Sequence, residues 1–404
     1  VRTRPALYAT AFLRAVSTGA AGVLLGVHLA RLGLDPESIG VVVGAGLAGA
    51  AVAAAIATRH GDAIGRRRFL IAVATLGAAG TLAFVTTRSL PLLALFSFVG
   101  MLNGMGRDRG AGPILEQAAL PATTTNEGRT RALAWYTMLQ DVGHGLGALL
   151  AGIPSLLVRA GWPEVRASGA TLAGAAMIGL VTVIFYAAAD ADLEPSRSGG
   201  PPALAPATRR VLARISSLFA VDSLAGGFLT TALLSYFFFE RFGVAESALG
   251  ALFFAARVLN AFSHLAAARL ARSFGLVNTM VCTHVPSSLL LVTVAFAPSF
   301  LVAAAFFLLR EGLVEMDVPT RQSYVLAVVA PEERTLASGV TNLVRLCGWA
   351  IGPLLAGLVM TPESLYPPLL VGAGMKITYD LLLWRSFRHL PPPEERIRFG
   401  DGVR

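Results

Sequence analysis

The sequence predicts an all-α membrane protein whose twelve transmembrane helices form two pseudo-symmetric six-helix bundles. Three observations lead there. Apolar windows long enough to cross a bilayer recur along the chain, one long polar stretch divides them six and six, and the two sets share a pattern at a constant offset. Of the 404 residues, 55% are hydrophobic and only 14% charged, with a mean hydropathy of +0.66. A soluble domain carries about 25% charged residues. The apolar excess runs along nearly the whole length, which excludes a soluble domain on a single anchor.

The elements follow from counting, since a helix needs ~20 mostly apolar residues to cross the hydrocarbon core. The windows are 7–32, 37–58, 69–87, 90–116, 132–158, 167–189, 211–239, 246–268, 276–297, 299–329, 335–360 and 366–387. The first follows a basic start, Val1-Arg2-Thr3-Arg4, and is too long for the apolar region of a cleavable signal, so it reads as a span. Residues 190–210 hold the run Glu194-Pro195-Ser196-Arg197-Ser198-Gly199-Gly200-Pro201-Pro202 and read as a linker. The expected organisation is a first bundle at 1–189, the linker at 190–210, a second bundle at 211–388 and a polar tail at 389–404.

The formal charge of +9 would suggest nucleic acid in a soluble protein. Here the basic residues sit in short loops and report orientation instead. With the N-terminus in the cytoplasm, the inner loops hold Arg59, Arg66, Arg67, Arg68, Arg129, Arg131 and Arg334 among others. The outer loops hold fewer, namely Arg31, Arg88, Arg159, Arg166 and Arg241. Both termini are therefore expected in the cytoplasm, in a bacterial-type inner membrane. Cys282 and Cys347 both lie in apolar runs, which argues against a disulfide framework or a metal cluster. No metal, cofactor or nucleic acid is expected, and a monomer in the lipid bilayer is the expected assembly.

The halves resemble one another. Arg129-Thr130 leads to Gly143, Gly147 and Gly152, and Arg334-Thr335 leads to Gly348, Gly352 and Gly357, every member offset by 205. Arg107-Asp108 in the fourth window parallels Arg310-Glu311 in the tenth. Parallel repeats of this kind build six-plus-six carriers with the solute site between the halves.

The loop between the second and third windows reads Thr58-Arg59-His60-Gly61-Asp62-Ala63-Ile64-Gly65-Arg66-Arg67. It resembles the major facilitator superfamily pattern Gly-x-Leu-Ala-Asp-Arg-x-Gly-Arg-Arg, keeping the Asp, the second Gly and both final Arg. Thr58 and Ala63 depart from it. The resemblance extends over nearly the whole chain and implies that Asp62, Gly65, Arg66 and Arg67 gate the transport cycle. In the fifth window, Gly143, Gly147, Ala148, Ala151 and Gly152 are similar to that family's proton-driven exporter pattern, and the eleventh window has the fuller Gly348, Gly352, Pro353, Ala356 and Gly357. Small residues at this spacing also let helix backbones approach closely. Packing and exporter signature therefore stay open together, with a lean towards export.

Charges inside the windows carry the functional question, because each is costly to bury. Arg14, Arg107, Arg109, Arg257, Arg310, Arg321, Arg345 and Lys376 face an equal number of acids: Asp108, Glu116, Asp141, Asp222, Glu311, Glu315, Asp317 and Asp380. This balance favours internal ion pairs. The resemblance implies that the first, fourth, seventh and tenth helices line a central cavity, and the charges gather there. Arg14, Arg107 and Arg310 are candidates to hold a carboxylate or phosphate of the solute. Asp222, Glu311 and Glu315, with Asp108 behind them, are candidates to carry protons. Arg14 and Asp222 occupy matching places in the repeat and are expected to face each other. In the tenth helix, Arg310, Asp317 and Arg321 should share one face, and Glu311, Glu315 and Gln322 a neighbouring one. Asp141 and His144, with Asn342 and Arg345, are candidates for the cavity flanks. Lys376 and Asp380 read as a structural pair one helical turn apart, and Glu116 is expected near the cytoplasmic mouth.

These features imply a secondary active transporter of a small polar or charged solute, driven by protons. A hydrophobic-drug/proton antiporter predicts an aromatic cavity and ranks lower at 8% aromatic residues. A non-transporting sensor or a membrane enzyme would need an output domain or a catalytic constellation. The sequence holds no Walker loop, metal-ligand motif or serine–histidine arrangement.

Overall fold

A computed structural model describes residues 3–125, 128–190, 193, 206–316 and 334–387. Each of the twelve predicted windows holds helix among its described residues. In chain order these are α1 (Thr3–Arg31), α2 (Pro36–Ile64), α3 (Arg66–Phe84), α4 (Leu90–Gly100), α5 (Ala111–Ala119), α6 (Arg129–Leu150), α7 (Ile153–Arg159) and α8 (Glu164–Ala188). There follow α9 (Pro206–Phe228), α10 (Thr231–Phe242), α11 (Glu246–Phe274), α12 (Leu276–Ala295), α13 (Phe300–Val314), α14 (Arg334–Val359) and α15 (Pro367–Phe387). Among the described residues, the β structure is one isolated bridge, Thr361 to Ser364. Among the described residues, eight stretches of helix are long and apolar enough to cross a membrane. Large apolar side chains also point outward, including Leu301, Ile184, Phe262 and Leu156. Such a surface suits lipid rather than water.

Local chemistry explains the helix boundaries. Asp35 caps α2, its Oδ1 accepting from Ser38 N at 2.9 Å, with Pro36 in the first turn. This bond holds the exposed Asp35 carboxyl below its ordinary range. α2 and α11 have 29 residues each and start 210 positions apart. Each is followed by a glycine at positive φ, Gly65 at 96° and Gly275 at 81°, which turns the chain directly into the next helix. The helix order of the first half thus recurs in the second.

The structure corrects four windows. The fourth is broken: α4 ends at Gly100, residues 101–110 are non-helical, and α5 starts at Ala111. Met101 and Gly106 both take positive φ there, and Asn103 holds the segment by donating to Arg107 O and accepting from Met105 N. Four glycines in eleven residues, with three consecutive charges, make an uninterrupted helix unfavourable. The fifth is interrupted between Leu150 and Ile153, ahead of Pro154, and the seventh at Thr230, whose hydroxyl caps α10. In the tenth, α13 stops at Val314; the facing argument for Asp317, Arg321 and Gln322 falls outside the described residues.

The chain forms two compact units, Val1–Gly199 with Gly227–Arg257 and Trp349–Pro368, and Gly200–Gly226 with Val258–Gly348 and Leu369–Arg404. In the first unit α1 lies against α6 at backbone contact: a Cβ on Gly143 would fall 2.7 Å from Phe12 O, and one on Gly147 would strike Val16 O. The same unit takes in α10, the start of α11 and the end of α14. There Ala232 N donates to Gly104 O at 2.9 Å, and Gly26 and Gly40 abut the carbonyls of Ala232 and Pro353. In the second unit, α9, α12 and α15 share a core of Ile215, Leu218, Phe219, Val277, Met280, Tyr379 and Leu383.

Candidate functional site

The first unit holds a buried ionic node. Arg14, midway along α1, forks onto Glu116 of α5, with Nη1 to Oε1 at 2.7 Å and Nη2 to Oε2 at 2.8 Å. Its Nε donates to Asp108, and the remaining guanidinium hydrogens reach Tyr186 OH at 2.6 Å and Tyr136 OH at 3.2 Å. A guanidinium has five N–H donors, and each is used. Glu116 has no solvent exposure and also accepts from Thr10 at 2.6 Å, Tyr136 at 2.5 Å and Tyr186 at 2.5 Å. Gly112, one turn before Glu116, leaves room for the guanidinium: a Cβ there would sit 2.7 Å from Arg14 Cζ. Glu116 is thus a wholly buried anchor of the unit, bound near the N-terminal ends of α1 and α6 and the C-terminal end of α8. Its tyrosine partners were missed, although a tyrosine in each of two apolar helices was a readable signal.

The broken fourth span delivers the other charges to this node. Asp108 is one arm of it, and its backbone N–H donates to His144 Nε2 at 2.9 Å. His144 therefore presents Nε2 as an acceptor. Arg257 of α11 donates to Gly106 O at 3.3 Å, and Arg109 lies over the Trp349 ring at 4.9 Å. Arg107 is half-buried in the same segment, and Asp141 half-buried one turn before His144. The sequence brought these residues to the same spans; the non-helical segment decides which of them meet.

At the α2–α3 turn, Arg66 Nε pairs with Asp62 Oδ1 at 2.7 Å across Gly65, and Arg67 donates to Ala187 O. Asp62 is exposed, whereas Arg66 is buried.

The second unit holds two further pairs and a triad. Asp222 of α9 accepts from Lys376 Nζ of α15 at 2.9 Å, with Arg345 of α14 at 4.0 Å. The expected Lys376–Asp380 pair is replaced: Lys376 reaches across to α9, and Asp380 binds His284 of α12 at 3.0 Å. Helical spacing placed Lys376 and Asp380 on one face, but opposite charges on the adjacent helices outcompete the intrahelical pair. Arg310 pairs with Glu311, which also accepts from Asn260 at 3.1 Å. Glu315 caps the end of α13, and Asn342 lies half-buried one turn before Arg345. Arg14 and Asp222, expected to face each other, each have partners within their own unit.

Paired helical repeats with opposite charges gathered inside apolar spans define a multi-pass membrane protein of the carrier class. A sequence model of the Major Facilitator Superfamily matches residues 7–310 and 215–402, and the chain belongs to that family. It is 25% identical to the uncharacterized membrane protein YJR124C of Saccharomyces cerevisiae, over 93% of this chain and 92% of the yeast protein. Among solved structures, the fold is similar to the nucleoside transporter NupG, with a TM-score of 0.74 at 13% identity over 95% of this chain and 99% of that one. It is similar also to the xylose transporter XylE from E. coli, with a TM-score of 0.73 at 12% identity over 98% and 99% of the two chains. A bacterial homolog of the human lysosomal transporter Spinster gives 0.74 at 16% identity, over 95% and 96%.

Proposed function

We propose that this protein is a proton-coupled secondary transporter of a small polar or charged solute, working by alternating access between two six-helix halves at 1–189 and 211–388. The observation that carries this reading is the paired arrangement of buried charge. A cation on the first helix of one repeat, Arg14, and an anion on the first helix of the other, Asp222, are each clamped by opposite charges from neighbouring segments. In the first half, Glu116 and Asp108 both hold Arg14, and Asp108 is the acid assigned to proton coupling. In the second, Glu311 shares Arg310 with the solute site and completes the coupling set with Asp222 and Glu315. Arg107 and Arg310 supply the donors for an anionic group of the solute. Asp141, His144, Asn342 and Arg345 flank them, and the Asp62–Arg66 pair with Gly65 and Arg67 gates the cytoplasmic face. The loop arginines favour an inner or plasma membrane with both termini in the cytoplasm. Export is the direction to which the glycine pattern leans, although close packing of α1 on α6 already uses Gly143 and Gly147. The charge-rich spans favour this reading over a hydrophobic-drug antiporter.

The test is flux in proteoliposomes under an imposed proton gradient. The first solutes to try come from the fold neighbours: nucleosides and xylose. The expected outcome is gradient-driven accumulation in the wild type, lost in Glu311→Gln while downhill exchange persists. Solute flux that ignores the gradient in the wild type refutes proton coupling.

A further inference from the structure

His284 and Asp380 form a buried couple that none of the roles above uses. His284 lies on α12 and Asp380 on α15, 2% and 0% exposed, with Nδ1 and Oδ1 3.0 Å apart. One turn before Asp380 stands Lys376, bound to Asp222 of α9, with Arg345 of α14 beyond. On α13, which packs against α12, Arg310 and Glu311 bind each other. Among the described residues, Lys376, Asp222 and Arg345 are the charged groups linked to the couple, and Arg310 and Glu311 are those on the helix packed against α12.

Two observations separate it from a structural pair. Among the described residues Asp380 Oδ2 has no hydrogen-bond partner, although the residue is wholly buried. Glu116, equally buried in the first half, accepts five hydrogen bonds. A buried carboxylate left so poorly solvated gains most from taking a proton. Secondly, the repeat does not share these charges. At the 210-residue offset of α2 and α11, His284 corresponds to Ala74; at the 203-residue offset between the starts of α8 and α15, Lys376 corresponds to Ala173 and Asp380 to Met177. The first half carries no charge at these places, and its Met177 points outward, so helices in these positions hold together there without an ion pair.

We propose that the His284–Asp380 couple is a proton-binding site that reports its charge to α9 through Lys376. With Asp380 ionised, the Lys376 ammonium is drawn by two carboxylates, Asp222 and Asp380. With a proton from water on Asp380, Asp222 alone attracts it, and the pair between α9 and α15 tightens. Returning the proton to water restores the first state, and the O–H bond is the only covalent bond made and broken. As a step of transport, this rests on the proton-coupled reading above.

Infrared difference spectroscopy on the full chain in lipid tests it by titrating the C=O stretch of protonated carboxylic acids. The wild type should show a pH-dependent band that shifts in deuterium oxide. Asp380→Asn should abolish it, and His284→Asn should move its midpoint by about one pH unit or more. A band unchanged in Asp380→Asn overturns the site. Thermal unfolding verifies that each variant folds; should Asp380→Asn not fold, an unmoved midpoint in His284→Asn overturns the site by itself. Proteoliposome flux separates the two readings. Gradient-independent flux with a band that depends on Asp380 defeats proton-coupled transport and leaves the proton site standing. Gradient-driven flux with an unchanged band defeats the site and leaves the coupling.

Discussion

Glu116 collects five hydrogen bonds from four side chains on three helices, and in return it holds the Arg14 guanidinium in a single orientation. An ionised pair can persist at this depth because nearly every lone pair and proton is matched. Removing one partner while leaving the other should therefore be far worse than never having built the pair. Glu116→Ala is expected to cost about 3–5 kcal/mol, because Arg14 is left buried with both Nη groups short of acceptors. Thermal unfolding of the purified protein in detergent measures this; a variant as stable as the wild type would show that Glu116 is not the anchor. At this scale the sequence was informative about residue type. Arg14 and Asp108 stood out as charges in apolar spans. The role of Glu116 did not, because spacing along a chain says nothing about which lone pairs are filled.

Between α4 and α5, ten non-helical residues sit inside what composition reads as one span. Irregular backbone at membrane depth survives only where its polar groups find protein partners. Asn103 supplies two, at 2.6 Å to Arg107 O and 2.9 Å from Met105 N. It also fixes the segment that presents Arg107, Asp108 and Arg109. Asn103→Ala should cost about 1–3 kcal/mol, the penalty for stranding a buried backbone group, and should lower solute affinity as the Arg107–Arg109 segment loosens. Unfolding temperature and substrate-protected thermal shift together check this, and wild-type values in both would contradict it. The twelve windows were visible because each is a sustained apolar run. The break was hidden because it turns on two positive-φ residues, Met101 and Gly106. Only the glycine content pointed towards it.

Alternating access requires each end of the molecule to close and reopen. Within the first unit, the end that carries the 32–35 loop is closed by contacts spread over both halves of the sequence. Arg31, at the end of α1, pairs with Glu246 in the first turn of α11 and lies over Phe239 at 5.7 Å; Glu246 also accepts from Ser155 at 3.1 Å. The loop-charge bias had counted Arg31 only as an outer arginine. Breaking a buried charge pair of this kind costs 2–5 kcal/mol, and 1.4 kcal/mol is a factor of ten. With Cys282 and Cys347 replaced by serine, Ala232→Cys reports opening, since Ala232 is wholly buried against Gly26 and Gly104. Adding Glu246→Gln should speed its labelling by a membrane-impermeant thiol reagent by about tenfold or more. An unchanged labelling rate would mean that the pair does not hold this end shut.

Apolar run length and the repeated glycine pattern were enough to point to a two-repeat membrane protein. Each is a local property of the chain, and the solvent that a helix meets depends on its own composition. They were also enough to gather Arg14, Asp108, Asp222, Arg310 and Glu311 as the charges to explain. Pairing is different. Whether Lys376 answers Asp380 on its own helix or Asp222 on another, and whether His284 has a carboxylate beside it, depends on the rotation and depth of helices whose paired residues lie 154 and 96 positions apart. Those are set by packing across the whole bundle, and small errors in either break a hydrogen bond. The tertiary structure alone therefore distinguished the saturated Glu116 from the undersatisfied Asp380, on which the proposed proton site rests.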